Sequence, residues 1–164
     1  MNIASDAREL ALSRKSPARV HFEISEQKAI ELCDKFGEAN KTIVQVGVSL
    51  MDIMLKEAMS KDKISEHVQM GVDFTKEFLQ KYDLSKEDKD KIINCVQAHH
   101  KHVPFTCIEA EICANADCYR FIHPRGFFFY LTLLGERAMD FSKVLDQAEL
   151  KLDEKNKILS LQYC

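Results

Sequence analysis

Residues 41–59 read KTIVQVGVSLMDIMLKEAM, and the fold turns on how this run is taken. Its apolar residues, Ile43, Val44, Val46, Val48, Leu50, Met51, Ile53, Met54, Leu55 and Met59, cover most of the circumference of a helix. A helix that is apolar nearly all round belongs in the middle of a fold. One narrow polar stripe, Gln45, Ser49, Asp52 and Lys56, runs along it, and taken alone it reads as the solvent-facing edge.

Helical patterns continue on both sides. A first helix is expected from about His21 to Phe36, stopped by Gly37. After the central helix, Ser65 is a good N-cap for a third, which carries Val68, Gly71, Val72, Phe78, Leu79 and Tyr82 on one side. Ser85 and Asp88 open a fourth, running through Ile92, Ile93 and Val96 to about His100, and Pro104 closes the turn that follows. Thr106 and Glu109 form a capping box for a fifth, reaching about Phe121, and His123-Pro124-Arg125-Gly126 ends it. The apolar stretch Phe127 to Leu134 continues as one or two helices with Met139, Phe141, Val144, Leu145, Leu150, Leu152, Ile158, Leu159 and Leu161. No period-2 run of Val, Ile and Thr bounded by turn residues occurs. The expectation is an all-α, single-domain helical bundle of about six to seven helices over residues 1–164. Residues 1–18 are an N-terminal extension and 127–164 the C-terminal helices.

With 164 residues, 46% of them hydrophobic, the chain can bury one substantial core and is short for two. The 23 Lys and Arg against 26 Asp and Glu leave a net charge of -3, which gives no general attraction to nucleic acid or an anionic membrane. Met1 to Lys15, with Asp6, Arg8, Glu9 and Arg14, resembles neither a signal nor a transit peptide. No apolar run reaches the roughly 18 residues of a membrane span. A cytoplasmic location is expected. None of Cys33, Cys95, Cys107, Cys113, Cys118 and Cys164 forms a CxxC pair, so reduced, core-packing thiols are expected. Phe127-Phe128-Phe129-Tyr130 reads as core or as a homodimer surface.

The informative residues are polar groups where the pattern calls for apolar ones. Asp117 falls in the stripe Ala110, Cys113, Ala114, Asp117, Cys118, Phe121. A buried carboxylate there needs a cation, a metal or strong donors, because burial unpaired would cost several kcal/mol. Arg120, Arg125 and a metal ion are the open alternatives. His67 shares a side with Gly71, Phe74 and Phe78 in the first turn of its helix. There the helix dipole disfavours the imidazolium, as a metal ligand requires; the alternative is a core-edge histidine bonded to a loop carbonyl. His99 and His100 extend the Ile92, Ile93, Val96 face, although a helix C-terminus accounts for one of them through the dipole.

Together, His21, Asp52, His67, His99-His100 and Asp117, spread over five helices, resemble the metal-binding signature of the HD-domain superfamily. The stretches Ser65-Glu66-His67-Val68, Ala98-His99-His100 and Asn115-Ala116-Asp117 look like those of small HD hydrolases. The resemblance covers about His21 to Arg125. It implies a first metal on His21, the His-Asp dyad and Asp117, and a second on His67 with His99 or His100, Asp52 bridging. Here the dyad reads Met51-Asp52, and a thioether is a poor ligand for the metals of this chemistry. Leu55 stands where a lysine often follows the dyad, with Lys56 adjacent, and no GYP motif occurs.

The resemblance implies one or two divalent ions (Mn, Mg, Zn, Fe or Ni) and hydrolysis of a nucleotide or other small phosphate ester by a metal-activated water. Asp52, Lys56 and Arg120 are the expected catalytic residues, with Lys101, His102 and Arg125 as further cations for phosphoryl oxygens. A degenerate HD module that binds a metal, nucleotide or protein partner without catalysis is the alternative, and an HD-type di-iron oxygenase a second. The expected partners are the small phosphorylated substrate and a second copy of the chain, with no specific nucleic acid and no membrane.

Overall fold

A computed structural model of the chain describes residues 2–137 and 140–162. Met139 and Cys164, assigned above to a C-terminal helix and to a thiol, lie outside the described residues. Nine α-helices and one 3₁₀ turn, and no strand, are found among the described residues. They are α1 (Ile3–Arg14), α2 (Arg19–Lys35), α3 (Lys41–Leu50), α4 (Leu55–Ser60), the 3₁₀ turn Ile64–Glu66, α5 (His67–Leu79), α6 (Lys86–Ala98), α7 (Ile108–Ile122), α8 (Pro124–Glu136) and α9 (Phe141–Ile158).

The all-α bundle holds, and two departures explain the larger number of helices. Residues 3–14 form a helix of their own. Asn2 accepts from the backbone N–H of Ala4 and Ser5, Lys15 ends the helix at φ 53°, and Ile3, Ala7 and Ala11 are buried against α3. The second departure is a break in the central helix at 51–54. There the backbone bonds shorten to three residues, Ile53 N–H to Leu50 O and Leu55 N–H to Asp52 O. Ser16 is inserted at the break: its hydroxyl donates to the Asp52 carbonyl at 2.6 Å and accepts from the Lys56 N–H at 3.1 Å. A side chain that enters the helical ladder this way kinks a helix. The expected single helix over 41–59 is therefore two.

Three helix starts also differ from expectation. Glu66, not Ser65, precedes α5, and no side chain caps it. The Thr106–Glu109 capping box does not form. Glu109 instead accepts from the Asn40 N–H at 3.0 Å, and Cys107 precedes α7 without a side-chain cap. His123-Pro124-Arg125-Gly126 does end α7, but it also begins α8, with Pro124 in the first turn where its missing N–H costs nothing. Ser85 caps α6 as expected, accepting from the Asp88 N–H at 3.0 Å.

The core lies around α3 and α7. Helix α7 packs against α2, α3, α6, α8 and α9, and α3 against α1, α2, α6 and α7. Gly126 admits the sharp turn into α8, because a Cβ there would collide with the backbone carbonyl of Arg120. Phe127 and Tyr130 pack beside Leu134, Val144 and Ala148, while Phe128 is 67% exposed. Cys33, Cys95, Cys113 and Cys118 are buried free thiols, and Cys107 is a half-buried one. No described helix is long and apolar enough to cross a membrane.

Candidate metal centre

The break after α3 carries the site. Because the chain turns at 51–54, Asp52 faces inward, 1% exposed, and Ser49 is buried with it, so the polar stripe is not a solvent edge. Met51 is equally buried and belongs to the main apolar core. The start of α5 and the end of α6 bring three imidazoles to Asp52. One ligand atom from each of Asp52, His67, His99 and His100 lies within 4.8 Å of the others, a grouping that could hold a metal ion.

The hydrogen bonds on the far side of two rings fix what the near side offers. The Nδ1–H of His67 donates to Ile64 O at 2.6 Å, and that of His99 to Val96 O at 2.7 Å. In the neutral ring such a bond leaves an Nε2 lone pair turned inward, the arrangement by which a backbone carbonyl orients a metal-binding histidine. His99 Nε2 is buried without a hydrogen-bond partner, 3.6 Å from Asp52 Oδ1. His67 Nε2 lies 3.8 Å from the same oxygen and 3.1 Å from His100 Nε2. Burial, opposed only in part by Asp52, lowers the His67 pKa. Burial, with His99 and Lys155 adding to it, lowers that of His100. Both rings are neutral at neutral pH, as ligands must be.

His21 and Asp117 stand apart from this group. His21 Nε2 is 3.0 Å from Gly126 O, and its ring lies 5.2 Å from Phe129, edge-on. Burial, assisted by Arg120, takes its pKa down to about 4. Asp117, fully buried, is held by Lys155 Nζ at 2.7 Å from Oδ2 and by Arg120 Nη2 at 2.8 Å from Oδ1. The same Nη2 lies 2.7 Å from Asp52 Oδ2. Of the cations left open for Asp117, Arg120 is the partner. Arg125 is 61% exposed and faces Glu23.

Asp52, Arg120, Asp117 and Lys155 thus form a chain of alternating charge with no solvent between. Burial alone would raise both carboxyl pKa values, but Arg120 beside Asp52, and Arg120 with Lys155 beside Asp117, outweigh it and hold both carboxylates ionised. Lys155 also reaches His100 Nδ1 at 3.2 Å, so this ring, unlike the other two, has a cation behind it. Sequence reasoning missed Lys155. Its signal was the one that exposed Asp117: it falls in register with the buried Val144, Ala148 and Ile158 of α9, a charge in an apolar stripe. Lys56 lies at the start of α4, and its exposed side chain lines a cavity with His21 and Arg120. Lys101 and His102 are exposed.

Over 63 residues the chain is 40% identical to a ribonuclease Y of Finegoldia magna. The match covers 38% of this chain and 11% of that protein, so the chain spans about a tenth of the length of the curated relative it matches. No protein-family model and no solved structure matches the chain. The partial likeness and the histidine-aspartate group are both compatible with an HD-type domain.

Proposed function

We propose that this chain is an HD-type phosphohydrolase that cleaves a phosphate ester bond with one divalent metal, held by Asp52, His67 and His99 with His100 beside them. The observation that carries the reading is His99 Nε2, buried without a hydrogen-bond partner and aimed at Asp52 Oδ1, with the neutral rings of His67 and His100 beside it. A polar atom buried and unsatisfied costs about 1–3 kcal/mol, which a ligand would recover. The donor set fits such an ion. Imidazoles with one carboxylate favour Zn, Fe or Ni over Mg, which prefers oxygen ligands.

The chemistry a bound ion supplies is Lewis-acid polarisation of a phosphoryl oxygen and a water acidic enough to deprotonate near neutral pH. The chain's own residues do the rest. The carbonyls of Ile64 and Val96 fix the tautomers of His67 and His99. Arg120 orients Asp52 and keeps it ionised, and with Lys56 it supplies positive charge for the phosphoryl oxygens. The side chains of His67 and His100, 12% and 16% exposed, leave the group its edge toward solvent. Ribonuclease, the printed activity of the relative, is phosphodiester cleavage, and that bond class is the one proposed here.

Protein purified without chelator should carry a single Zn, Fe or Ni ion per chain and hydrolyse bis(p-nitrophenyl) phosphate. His99→Gln should lose both properties while remaining folded by circular dichroism. A wild-type protein that binds no metal under any loading condition, or a His99→Gln variant that keeps full turnover, overturns the reading. A module that binds without turnover is a second reading, favoured by the engagement of Asp52 Oδ2 with Arg120. It is distinguished by stoichiometric metal with no turnover of any phosphate ester. The di-iron oxygenase reading is disfavoured, since Asp117 is already occupied by Lys155 and Arg120.

A further inference from the structure

One ring of the metal group is not built like the others. Lys155 Nζ lies 3.2 Å from His100 Nδ1, and an ammonium has only donors, so Nδ1 accepts. Asp117, 2.7 Å from Lys155 Nζ, holds that ammonium in place. The Glu154 carboxylate is 3.9 Å from the same ring nitrogen, beyond hydrogen-bond reach, and is paired with Lys151 at 2.6 Å. A histidine whose Nδ1 accepts carries its proton on Nε2. That Nε2 stands 3.1 Å from His67 Nε2. His67 has the opposite tautomer, since its Nδ1–H donates to Ile64 O at 2.6 Å. One arrangement of protons satisfies all three contacts: Lys155 donates to His100, the His100 Nε2–H donates to His67 Nε2, and His67 donates to Ile64.

The direction of this relay decides what His100 can do. A ligand must turn a lone pair to the ion. His100 has none to turn, because Nε2 holds its proton and Nδ1 faces Lys155. Distance puts His100 in one group with Asp52, His67 and His99, but its protons take it out again. Three protein ligands remain, the number with which catalytic sites keep a position open. Once the His67 lone pair is given to an ion, the His100 N–H is left without its acceptor, on the edge of the group that reaches solvent. We infer that His100 is not a metal ligand but the hydrogen-bond donor to a phosphoryl oxygen of the substrate, with Lys155 as the positioning residue that fixes its tautomer. A neutral imidazole N–H held in place beforehand can stabilise developing negative charge without reorganising. The identity of the acceptor as phosphoryl rests on the proposed function. The tautomer, and the exclusion of His100 from the ligand set, do not.

Proton–nitrogen correlation spectra of the full chain read each imidazole directly. Without metal, His100 should be the Nε2–H tautomer and His67 the Nδ1–H tautomer, and Lys155→Met should turn the single His100 form into a mixture. In protein loaded with Zn, Nε2 of His67 and of His99 should move to the range of coordinated nitrogen while His100 keeps its N–H. Inorganic phosphate added to that sample should shift the His100 N–H signal. His100→Phe should keep Zn affinity within about threefold of wild type, since no ligand is lost, and weaken inorganic phosphate binding about tenfold or more. His100→Gln, which can present an amide N–H in the same direction, should recover most of the phosphate affinity. A wild-type His100 protonated on Nδ1, a His100 nitrogen coordinated to Zn, or a loss of Zn affinity of about tenfold or more in His100→Phe overturns the inference. Phosphate binding that is indifferent to His100→Phe does so too, and an unchanged single tautomer in Lys155→Met overturns the part given to Lys155. Turnover of bis(p-nitrophenyl) phosphate is scored apart. An inert protein with these spectra overturns the proposed function and leaves His100 as assigned, whereas turnover with His100 coordinated does the reverse.

Discussion

Replacing Lys155 with methionine, similar in length but uncharged, takes the cation from Asp117 Oδ2 and from behind His100 in one step. Lys155 is 1% exposed and Asp117 fully buried, and they lie 2.7 Å apart. Surface ion pairs contribute about 0–1 kcal/mol, but removing one partner of a buried pair costs about 3–5 kcal/mol, because a charge is left behind without compensation. Arg120 still faces Asp117 Oδ1, which puts the expected loss at the lower end, ~3 kcal/mol. With a urea dependence of about 2 kcal/mol per molar, the unfolding midpoint falls by roughly 1.5 M. Asp117→Asn in the same chain removes the stranded charge and should recover part of the loss, so the two changes are not additive. Metal affinity should move the other way. With the ammonium gone from 3.2 Å behind His100 Nδ1 and Asp117 less compensated, a divalent ion at the imidazoles meets less repulsion. Urea titrations and competition with a chromogenic chelator measure the two quantities on the same samples. A stability loss under 1 kcal/mol, or metal affinity falling in parallel with stability, would refute the charge chain as described.

Met51→His alone should leave metal stoichiometry unchanged, because Arg120 and Lys155 already neutralise the two carboxylates a further ion would use; a rise to two ions per chain, read by elemental analysis, contradicts this. His21 is held neutral, its folded pKa taken from the ordinary 6.5 to about 4, so the unfolded chain binds the extra proton between those values and stability rises with pH through that window. At about 1.4 kcal/mol per pH unit the ceiling is ~3 kcal/mol, and His21→Phe should flatten the slope of stability against pH between 4 and 6.5. Gly47→Ala would set a methyl 2.6 Å from Cys95 Cβ and 2.9 Å from Cys113 Sγ, and should cost about 1–3 kcal/mol in chemical denaturation. Gly126→Ala should be worse for function than for helix content: α8 must retreat from the Arg120 carbonyl, carrying with it the Gly126 oxygen that holds His21.

The bundle was legible because α2, α5 and α6 carry apolar spacing that local physics alone makes helical. The break at 51–54 was not, since Met51, Ile53, Met54 and Leu55 fit a helix perfectly well. It arises from Ser16, distant in sequence, whose hydroxyl enters the ladder. Helix α1 was hidden for a related reason: its buried face is Ile3, Ala7 and Ala11, too small to make a strong apolar stripe until α3 lies against it. The site was legible where a charge interrupts an apolar face, as at Asp117, and obscure where the face itself was misjudged, as at Asp52. Lys155 obeyed the same rule as Asp117 and was lost among the charged neighbours Asp153, Glu154 and Lys157, which are exposed.

Seen through its charges, the site has two unlike halves. On the inner side, Arg120 and Lys155 bring two positive charges to Asp52 and Asp117, the charge a divalent ion would carry, and they bring it permanently. That removes any need for a ligand at position 51, where a methionine can join the apolar core without leaving a carboxylate stranded. On the outer side His67 and His100 are neutral rings, His67 turning an Nε2 lone pair toward His100, whose Nδ1 accepts from Lys155. The inner half should therefore hold the fold together whether or not a metal is present, and the outer half should respond to metal alone. Structural metal sites behave otherwise, since there the binding energy is folding energy and chelation unfolds the chain. Here the cations that stabilise the carboxylates are covalently part of α7 and α9, so treatment with a chelator should leave the bundle intact, as circular dichroism would read.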